Sequence, residues 1–233
     1  MNNQVKGLIY YYTQDMKYHV KIFWTILIAI TVATSIMAYF LMGVEGSRFY
    51  WAFPFATYTN VAIIAFQSVK KDIPFGLKMG AIRKNIFLSY AYFFFCYSLL
   101  MAIAANTLQT ILEGLLNVFG VTNYIFGHPA MLLTDTWLTR TVIDTFIMFF
   151  LMALLLLVGL IFYQSGLLGG GITLGAILVV ILYGLFEGWL IEAFANILSD
   201  ASMLTFATIF VIGIGLYLFS YLFIQRVTVV RKV

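Results

Sequence analysis

Long apolar runs, separated by short polar stretches, dominate the pattern of this chain. A run of roughly twenty apolar residues is the length that an α-helix needs to cross the hydrocarbon core of a bilayer. The pattern predicts six such spans, at 22–42, 52–69, 85–106, 141–162, 171–190 and 204–224. The second span is the weakest of them, because it contains Pro54, Tyr58, Asn60 and Gln67.

The composition agrees with an all-α, polytopic membrane protein that forms one transmembrane domain over residues 1–233. Hydrophobic residues make up 63% of the chain and charged residues only 9%, whereas soluble domains average about 25% charged residues. A membrane β-barrel would alternate polar and apolar residues, and the continuous runs of this chain do not. The composition therefore excludes an ordinary soluble domain.

The polar lead segment, residues 1–21, is amphipathic. Its apolar side chains fall on one helical stripe, and its polar side chains fall elsewhere; the stripe consists of Val5, Leu8, Ile9, Tyr12 and Met16. This spacing predicts a helix that lies flat on the inner face of the membrane, in contact with the lipid bilayer. The alternative is a disordered tail with incidental aromatic residues.

The distribution of basic residues predicts the topology. All but two of the thirteen Lys and Arg residues fall on one side if the N-terminus is inside, and only Arg48 and Arg140 fall on the other. Basic residues accumulate in cytoplasmic loops. Both termini, including the basic tail 226–233, are therefore expected in the cytoplasm of a multi-pass cell-membrane protein.

The outer segments differ in length and charge. The segment 107–140 is long and nearly neutral, and it could hold a short amphipathic or re-entrant helix over 111–119, whereas 191–203 is short and acidic. Glu187 and Glu192 flank the outer end of the fifth span, where they are candidates for a gate or pathway or, alternatively, interfacial side chains that reach water. Arg140 and Asp144 stand four residues apart, which predicts a local ion pair.

Signatures of catalysis and of cofactor binding do not appear. The chain has no phosphate-binding loop of the form G-x-x-x-x-G-K-[ST], and it has neither G-x-S-x-G nor H-E-x-x-H. His19 and His128 lack metal-ligand spacing, so we expect both in loops or at the membrane interface. The sequence predicts neither an enzyme nor a metal site.

The segment 70–84 carries the most specific pattern. It holds five of the thirteen basic residues, and a stripe at helical spacing starts in it, composed of Phe75, Met79, Ile82 and Ile86. The basic side chains Lys78, Arg83 and Lys84 lie off the stripe. Pro74 suits a first helical turn that Asp72 would cap, and Gly80 can end the helix. Such a segment is typical of a docking surface for a soluble partner; the alternative is a basic loop that binds anionic lipid.

A family resemblance rests on the same segment. The pattern Leu77-x-x-Gly80-x-x-Arg83-x-x-x-Phe87, preceded by Phe75, resembles the segment after the second span in ABC-2-type transporter permeases of Gram-positive bacteria. The layout of six spans, a flat N-terminal helix and a short basic tail is also similar. Only about fifteen residues, 71–87, carry the specific part of this resemblance.

The resemblance implies the transmembrane subunit of an ATP-driven exporter in a bacterial plasma membrane. ATP and Mg would be bound by a separate ATPase subunit, and a second permease copy or a homologue would complete a dimer, with no nucleic acid involved. The cargo would be hydrophobic or amphipathic, such as a peptide toxin or bacteriocin. A coupling helix over 73–79 would contact the ATPase through Ile73, Pro74, Phe75, Gly76, Lys78 and Met79, with Arg83 and Lys84 at its exit.

Two other functions stay open at this point. A secondary transporter driven by an ion gradient would need buried titratable residues near the middle of the membrane, where this sequence is almost purely apolar. A membrane protein that transports nothing, such as an immunity factor or a scaffold, would leave no distinct sequence signal. In the related permeases the re-entrant outer element usually lies between the last two spans, a segment that is short here.

Overall fold

The structure is a computed structural model that describes residues 2–44, 46–199 and 201–227, without the side chains of Phe194, Ile197 and Leu198. These residues form an all-helical fold with two three-residue strands. The helices are α1 (Asn3–Phe40), α2 (Phe53–Lys78), α3 (Arg83–Val118), α4 (Trp137–Phe186), α5 (Trp189–Ser199) and α6 (Met203–Ile224). Four of them, α1, α3, α4 and α6, are long and apolar enough to cross a membrane, which confirms the predicted all-α fold with several helices suited to membrane spans.

The N-terminal helix differs from its prediction. Residues 1–21 and the first span were expected to be separate, but α1 continues without a break through both. Most of the amphipathic stripe packs against protein rather than lying on a membrane surface, with Val5, Leu8, Tyr12 and Met16 buried. Tyr12 stacks on Tyr90 of α3 with 4.6 Å between ring centroids. The stripe was therefore predicted correctly, but it packs against the rest of the protein and not against the lipid bilayer.

The second span and the predicted coupling helix also form one helix. Helix α2 runs through residues 70–78, so Pro74 lies inside it and not in a first turn, and Asp72 is a buried helical residue and not a cap. The helix ends as predicted at Gly80, where φ is +78°. The amide of Ala81 donates to the Gly76 carbonyl (2.9 Å) and that of Gly80 to the Leu77 carbonyl (3.1 Å), a Schellman motif that satisfies the last carbonyls of α2.

Helix α4 is interrupted at Gly166, where φ is 69° and ψ is −173°. The break divides α4 into a first arm, 137–165, and a second arm, 167–186. The chain folds tightly there, since a Cβ atom on Gly170 would lie 2.3 Å from the Phe162 ring. The first arm forms the centre of the protein and packs against α2, α3 and α6, whereas nearly all side chains of the second arm are exposed.

Two glycines let the neighbouring helices approach the first arm closely. A Cβ atom on Gly159 would lie 3.0 Å from a methyl group of Val69 on α2, and one on Gly213 of α6 would lie 2.9 Å from the Phe150 backbone. Small residues at such contacts are typical of helix packing in membranes. The first arm thus holds α2 and α6 on two sides.

The segments predicted to lie outside the membrane contain structure that the sequence did not indicate. Strand β1 (Phe49–Trp51) pairs in parallel with β2 (Tyr124–Phe126), with Tyr50 opposite Ile125, and a 3₁₀ helix follows at Pro129–Leu132. The separate helix expected over 111–119 is absent as such, because α3 continues to Val118. The short acidic segment between the last two predicted spans does contain a helix, α5.

The glycine at the break in α4 is expected to be required for stability. Gly166→Ala is expected to lower the free energy of unfolding by about 1–3 kcal/mol, because its backbone conformation is open essentially only to glycine. Gly171→Ala is the matched control: Gly171 is helical and a Cβ atom there would meet nothing within 4 Å. The control should melt at the same or a higher temperature in detergent. Equal melting temperatures for the two variants would contradict a required break at Gly166.

Candidate functional site

The turn between α2 and α3 presents an exposed apolar surface with basic residues around it. We call it the α2–α3 tip and define it by Phe75, Lys78, Met79, Ile82 and Lys84. The exposed fractions are 72% for Met79, 63% for Ile82 and 39% for Phe75. Large apolar side chains that are this exposed beside lysines, at the end of two long helices, form a surface suited to a protein partner.

The α2–α3 tip is held in one conformation by the start of α1. The Gln4 side chain donates to the Gly80 carbonyl (3.1 Å) and accepts hydrogen bonds from the Ile82 amide (3.3 Å) and from the Asn85 side chain. Together with the Schellman motif, these bonds fix the turn from both sides. The surface is therefore pre-organised, which lowers the entropic cost of binding a partner.

The predicted partner-binding residues divide by exposure into two that are buried, one that is half-buried, Pro74, and five that are exposed. Ile73 and Gly76 are buried, with Gly76 against Leu8 and Ile86, so they support the tip and cannot contact a partner. The stripe member Ile86 is buried as well. The exposed ones are Phe75, Lys78, Met79, Arg83 and Lys84.

Two of the predicted contacts have partners within the chain, and a third lines a groove. Phe75 stacks on Tyr11 with 4.3 Å between ring centroids, and Arg83 donates to the Val227 carbonyl at 3.0 Å. Pro74 lines a groove of about 830 Å³, together with Lys78, that reaches the break at Gly166. The residues that are most available to a soluble partner are therefore Met79, Lys78 and Lys84.

The predicted gate residues do not come together at a site. Glu187 ends the second arm of α4 and Glu192 lies in the first turn of α5, on either side of Gly188, where φ is +85°. Both side chains are exposed. Their role as a gate or pathway stays a prediction.

A buried polar cluster at the opposite end of the molecule was not predicted. We call it the Asp144 cluster: the carboxylate of Asp144 accepts hydrogen bonds from Tyr58 on α2, from Asn106 on α3 (2.7 Å) and from His128 in the outer segment (3.2 Å). The side chains of His128 and Asp144 are 0% exposed. One carboxylate thus joins three helices and the segment before the 3₁₀ helix.

The hydrogen bonds of His128 define its tautomer. Its Nδ1 atom accepts from the Ala130 amide at 2.9 Å, so the proton is on Nε2 and is donated to Asp144. Both ring nitrogens are engaged, and neither can take a proton from a nucleophile as a catalytic triad requires. The Asp144 cluster therefore lacks the geometry of a hydrolase.

The Asp144 cluster corrects one prediction. Arg140 does not pair with Asp144; its guanidinium donates to Asp135 and to Glu113 (2.9 Å) instead. The hydrogen bond from Arg140 lowers the pKa of Asp135. His128 lies in a loop, as expected, but the loop buries its side chain, which was not predicted. The polar residues of the weak second span were the available signal, since Tyr58 is one of them.

A cavity of about 230 Å³ between α1 and α2 forms a third polar region. Asp15 and Lys71 form an ion pair of 2.6 Å at its edge. Asp72, also in its lining, is 2% exposed, and its Oδ1 atom has no hydrogen-bond partner among the described residues. Asp72 lies beyond the predicted second span, and burial raises the pKa of its carboxyl to about 6.

Comparison of the chain with known protein families, curated proteins and solved structures finds no match. Within the described part of the chain, no group of three His, Cys, Asp or Glu residues is placed to hold a metal ion. The candidate functional sites of this protein are therefore the α2–α3 tip, the Asp144 cluster and the cavity between α1 and α2.

Loss of the Asp144 cluster is expected to lower the stability of the protein strongly. Asp144→Ala removes the acceptor of three buried donors, and each unpaired donor costs about 1–3 kcal/mol, so the variant should melt at a much lower temperature in detergent or fail to accumulate. Lys71→Ala is the control, because it breaks an ion pair whose lysine is 53% exposed and whose contribution is about 0–1 kcal/mol. Similar melting temperatures for the two variants would contradict a structural role for the Asp144 cluster.

Proposed function

We propose that this chain is the transmembrane permease subunit of an ATP-driven ABC exporter for a hydrophobic or amphipathic cargo, such as a peptide toxin or bacteriocin. The observation that carries this proposal is the α2–α3 tip, an exposed and braced apolar surface with lysines around it. In the proposed complex, a separate ATPase subunit receives the tip in a groove and binds ATP and Mg. The chain itself has no phosphate-binding loop.

The chemistry of the tip favours a protein partner over lipid. Met79 is a flexible apolar side chain that adapts to a pocket, and its exposed fraction of 72% is large for a residue at a fixed turn. Lys78 and Lys84 would lie at the rim, where charges steer association and select the partner. Anionic lipid could also take up apolar side chains and lysines, but it would not require the turn to be held in one conformation by Gln4.

The proposal includes six spans with both termini in the cytoplasm of a bacterial plasma membrane. The break at Gly166 supports the separation of the fourth and fifth spans, since the second arm of α4 has 20 residues (167–186) and would extend about 30 Å at 1.5 Å per residue. Helix α2 would be the remaining span, and it leaves the membrane toward the tip. The exposed apolar second arm would face lipid and the second permease copy.

Helix α2 offers a route for coupling in this proposal. One end of it carries the α2–α3 tip and the other carries Tyr58, which donates to Asp144. Movement of the tip on ATP binding would pull on the Asp144 cluster and on the groove beside Gly166. Alternating access would then require the buried hydrogen bonds at the outer end to break and re-form in each cycle.

One observation favours a second candidate, a secondary transporter. The Asp144 cluster contains a carboxyl and an imidazole that are buried together, and intramembrane ionisable residues commonly bind coupling ions. Asp144 lies only about 10 Å along α4 from its start at Trp137, however, nearer the outer end than the centre of a span. Transport that depends on an ion gradient and continues without any ATPase would favour this candidate.

The docking role of the tip is tested with a double variant. Phe75→Ala combined with Met79→Ala should weaken association with the ABC ATPase encoded nearest to this chain by at least about tenfold, since truncating a buried anchor costs about 2 kcal/mol or more. The measurement is the Kd of the purified subunits in nanodiscs. Phe75→Ala alone should also lower the melting temperature slightly, because it removes the stacking on Tyr11.

The matched control for the double variant is Phe119→Ala combined with Met131→Ala. These side chains are 64% and 49% exposed and lie in the segments predicted to be outside. The control should bind the ATPase like the unchanged chain. Equal affinity for the tip variant and the control would show that the tip is not the docking element, and the absence of any ATPase association would count against the whole proposal.

The topology is tested by cysteine labelling of intact cells in a Cys96→Ser background. A membrane-impermeant thiol reagent should label Thr122→Cys and should not label Lys78→Cys, because only Thr122 is expected outside. Both positions are exposed, so a difference in labelling reports the side of the membrane and not burial. The reverse pattern would place the tip outside the cell and would rule out contact with a cytoplasmic ATPase.

A further inference from the structure

The cavity between α1 and α2 has a charged end and a far part without charged side chains. Asp15, Lys71 and Asp72 lie at the end near the α2–α3 tip, whereas Ile22, Ile63 and the neutral polar Asn60 line the part further along the two helices. The residues that α2 contributes run from Asn60 to Asp72, a length of about 18 Å along the helix axis. Ile22 is 39% exposed and Ile63 49%, so this part is open to the surrounding bilayer.

The charges of this cavity favour a positively charged ligand. Lys71 is paired with Asp15 by bonds of 2.6 Å to both carboxylate oxygens, and among the described residues it forms no ion pair with Asp72, although its nearby charge opposes the rise in pKa that burial causes at Asp72. The Asp72 side chain is 98% buried by its exposed fraction of 2%, and its Oδ1 atom has no hydrogen-bond partner among the described residues. A buried carboxylate oxygen without a donor is costly, and an N–H group that enters the cavity would supply the donor.

Among the described residues that line the cavity, Lys71 is the one lysine or arginine, and His19 is the other group that can carry a positive charge. The charged and titratable groups that face it or share its cavity are Asp15, His19, Tyr11 and Tyr12 on α1, Lys71 on α2 and Tyr90 on α3. The Ser68 hydroxyl donates to the Ile64 carbonyl at 2.9 Å. The balance of formal charge at the charged end, with Lys71 and Asp15 cancelling, is the single negative charge of Asp72.

We propose that the cavity between α1 and α2 binds the ammonium or guanidinium group of a cationic amphiphile, with Asp72 as the carboxylate that receives it. The apolar part of the ligand lies along Ile22 and Ile63, toward the bilayer. The volume of about 230 Å³ suits a head group and the first part of a chain, not a folded domain. This inference deepens the proposed function and rests on it, because it identifies the cationic end of an amphipathic cargo as the part that the permease recognises.

The experiment uses the purified chain in maltoside micelles, whose head groups are uncharged. The probe is dodecylamine with a fluorophore at the far end of its chain, and the matched uncharged probe has a hydroxyl group in place of the amine. Binding is measured as fluorescence anisotropy against protein concentration, with empty micelles subtracted. No ATPase is present, so the result is independent of the docking role of the α2–α3 tip.

The expected result has three parts. The amine binds saturably and the alcohol binds at least about tenfold more weakly, because the alcohol lacks the charge that Asp72 would pair with. Asp72→Asn weakens binding of the amine by a similar factor, whereas Asp135→Asn, the same substitution at the ion pair with Arg140, leaves it unchanged.

The third part is pH dependence, which needs no variant. Burial raises the pKa of Asp72 to about 6, so its charged form is lost as the pH falls below that value and binding of the amine weakens with it. The amine stays charged over this range. In Asp72→Asn this pH dependence disappears. A lower stability of the variant does not affect this result, because the affinities compared are those of the same variant at different pH values.

Competition identifies the source of the cationic group. Displacement of the probe by a lysine-containing amphipathic peptide, and not by its glutamine analogue, assigns the cavity to a peptide cargo; displacement by phosphatidylethanolamine assigns it to a lipid. Equal affinity for amine and alcohol, or an Asp72→Asn variant that binds the amine as well as the unchanged chain does, overturns the inference. If the tip variant no longer binds the ATPase but still binds the amine, the docking role of the tip and the binding role of the cavity are shown to be independent of each other.

Discussion

A charge that leaves water has to be compensated by hydrogen bonds, and Asp144 meets this requirement with donors from three other segments. Tyr58, Asn106 and His128 all donate to its carboxylate. Because these residues come from α2, α3 and the outer segment, the helices cannot separate at this end without exposing unpaired polar groups to an apolar environment. The first arm of α4, which carries Asp144, is thereby fixed as the centre around which the other helices pack.

The other end of the molecule is organised differently. There the polar groups hold the turn between α2 and α3 in one conformation: Gln4 donates to the Gly80 carbonyl, and the Schellman motif ends α2. The apolar side chain of Met79 remains exposed. The molecule thus combines a sealed polar end with an open apolar end. In the proposed permease, this contrast would let one end exclude water and the other end receive the ATPase.

The sequence predicted the elements whose cause is local. The end of α2 at Gly80 follows from its positive φ, and the amphipathic stripe of the first helix follows from helical spacing. The sequence did not predict that α1 and α2 would run on without a break, because nothing in a helical segment shows which protein surface will support it. Tyr12 is buried because Tyr90 and Phe93 of α3 lie against it.

The functional groups were harder to predict for the same reason. Arg140 and Asp144 are four residues apart, but their partners, Glu113 and His128 among them, come from distant parts of the chain. Asp72 has the sequence context of a helix cap, yet it is buried inside α2. Spacing along one helix could identify candidate residues, whereas the pairing of charges across helices depends on the packing of the whole bundle.

Because α2 is continuous, the hydrogen bond of Tyr58 at one end is thermodynamically coupled to binding at the α2–α3 tip. Tyr58 and Met79 lie on one helix, about 30 Å apart, so a shift of the helix along its axis moves both ends together. If a partner at the α2–α3 tip prefers one position of α2, then a ligand at the other end that loosens the hydrogen bond between Tyr58 and Asp144 changes the affinity of that partner by the same factor by which the partner changes the affinity of the ligand. A single continuous helix would thus couple the two ends, with no separate signalling element.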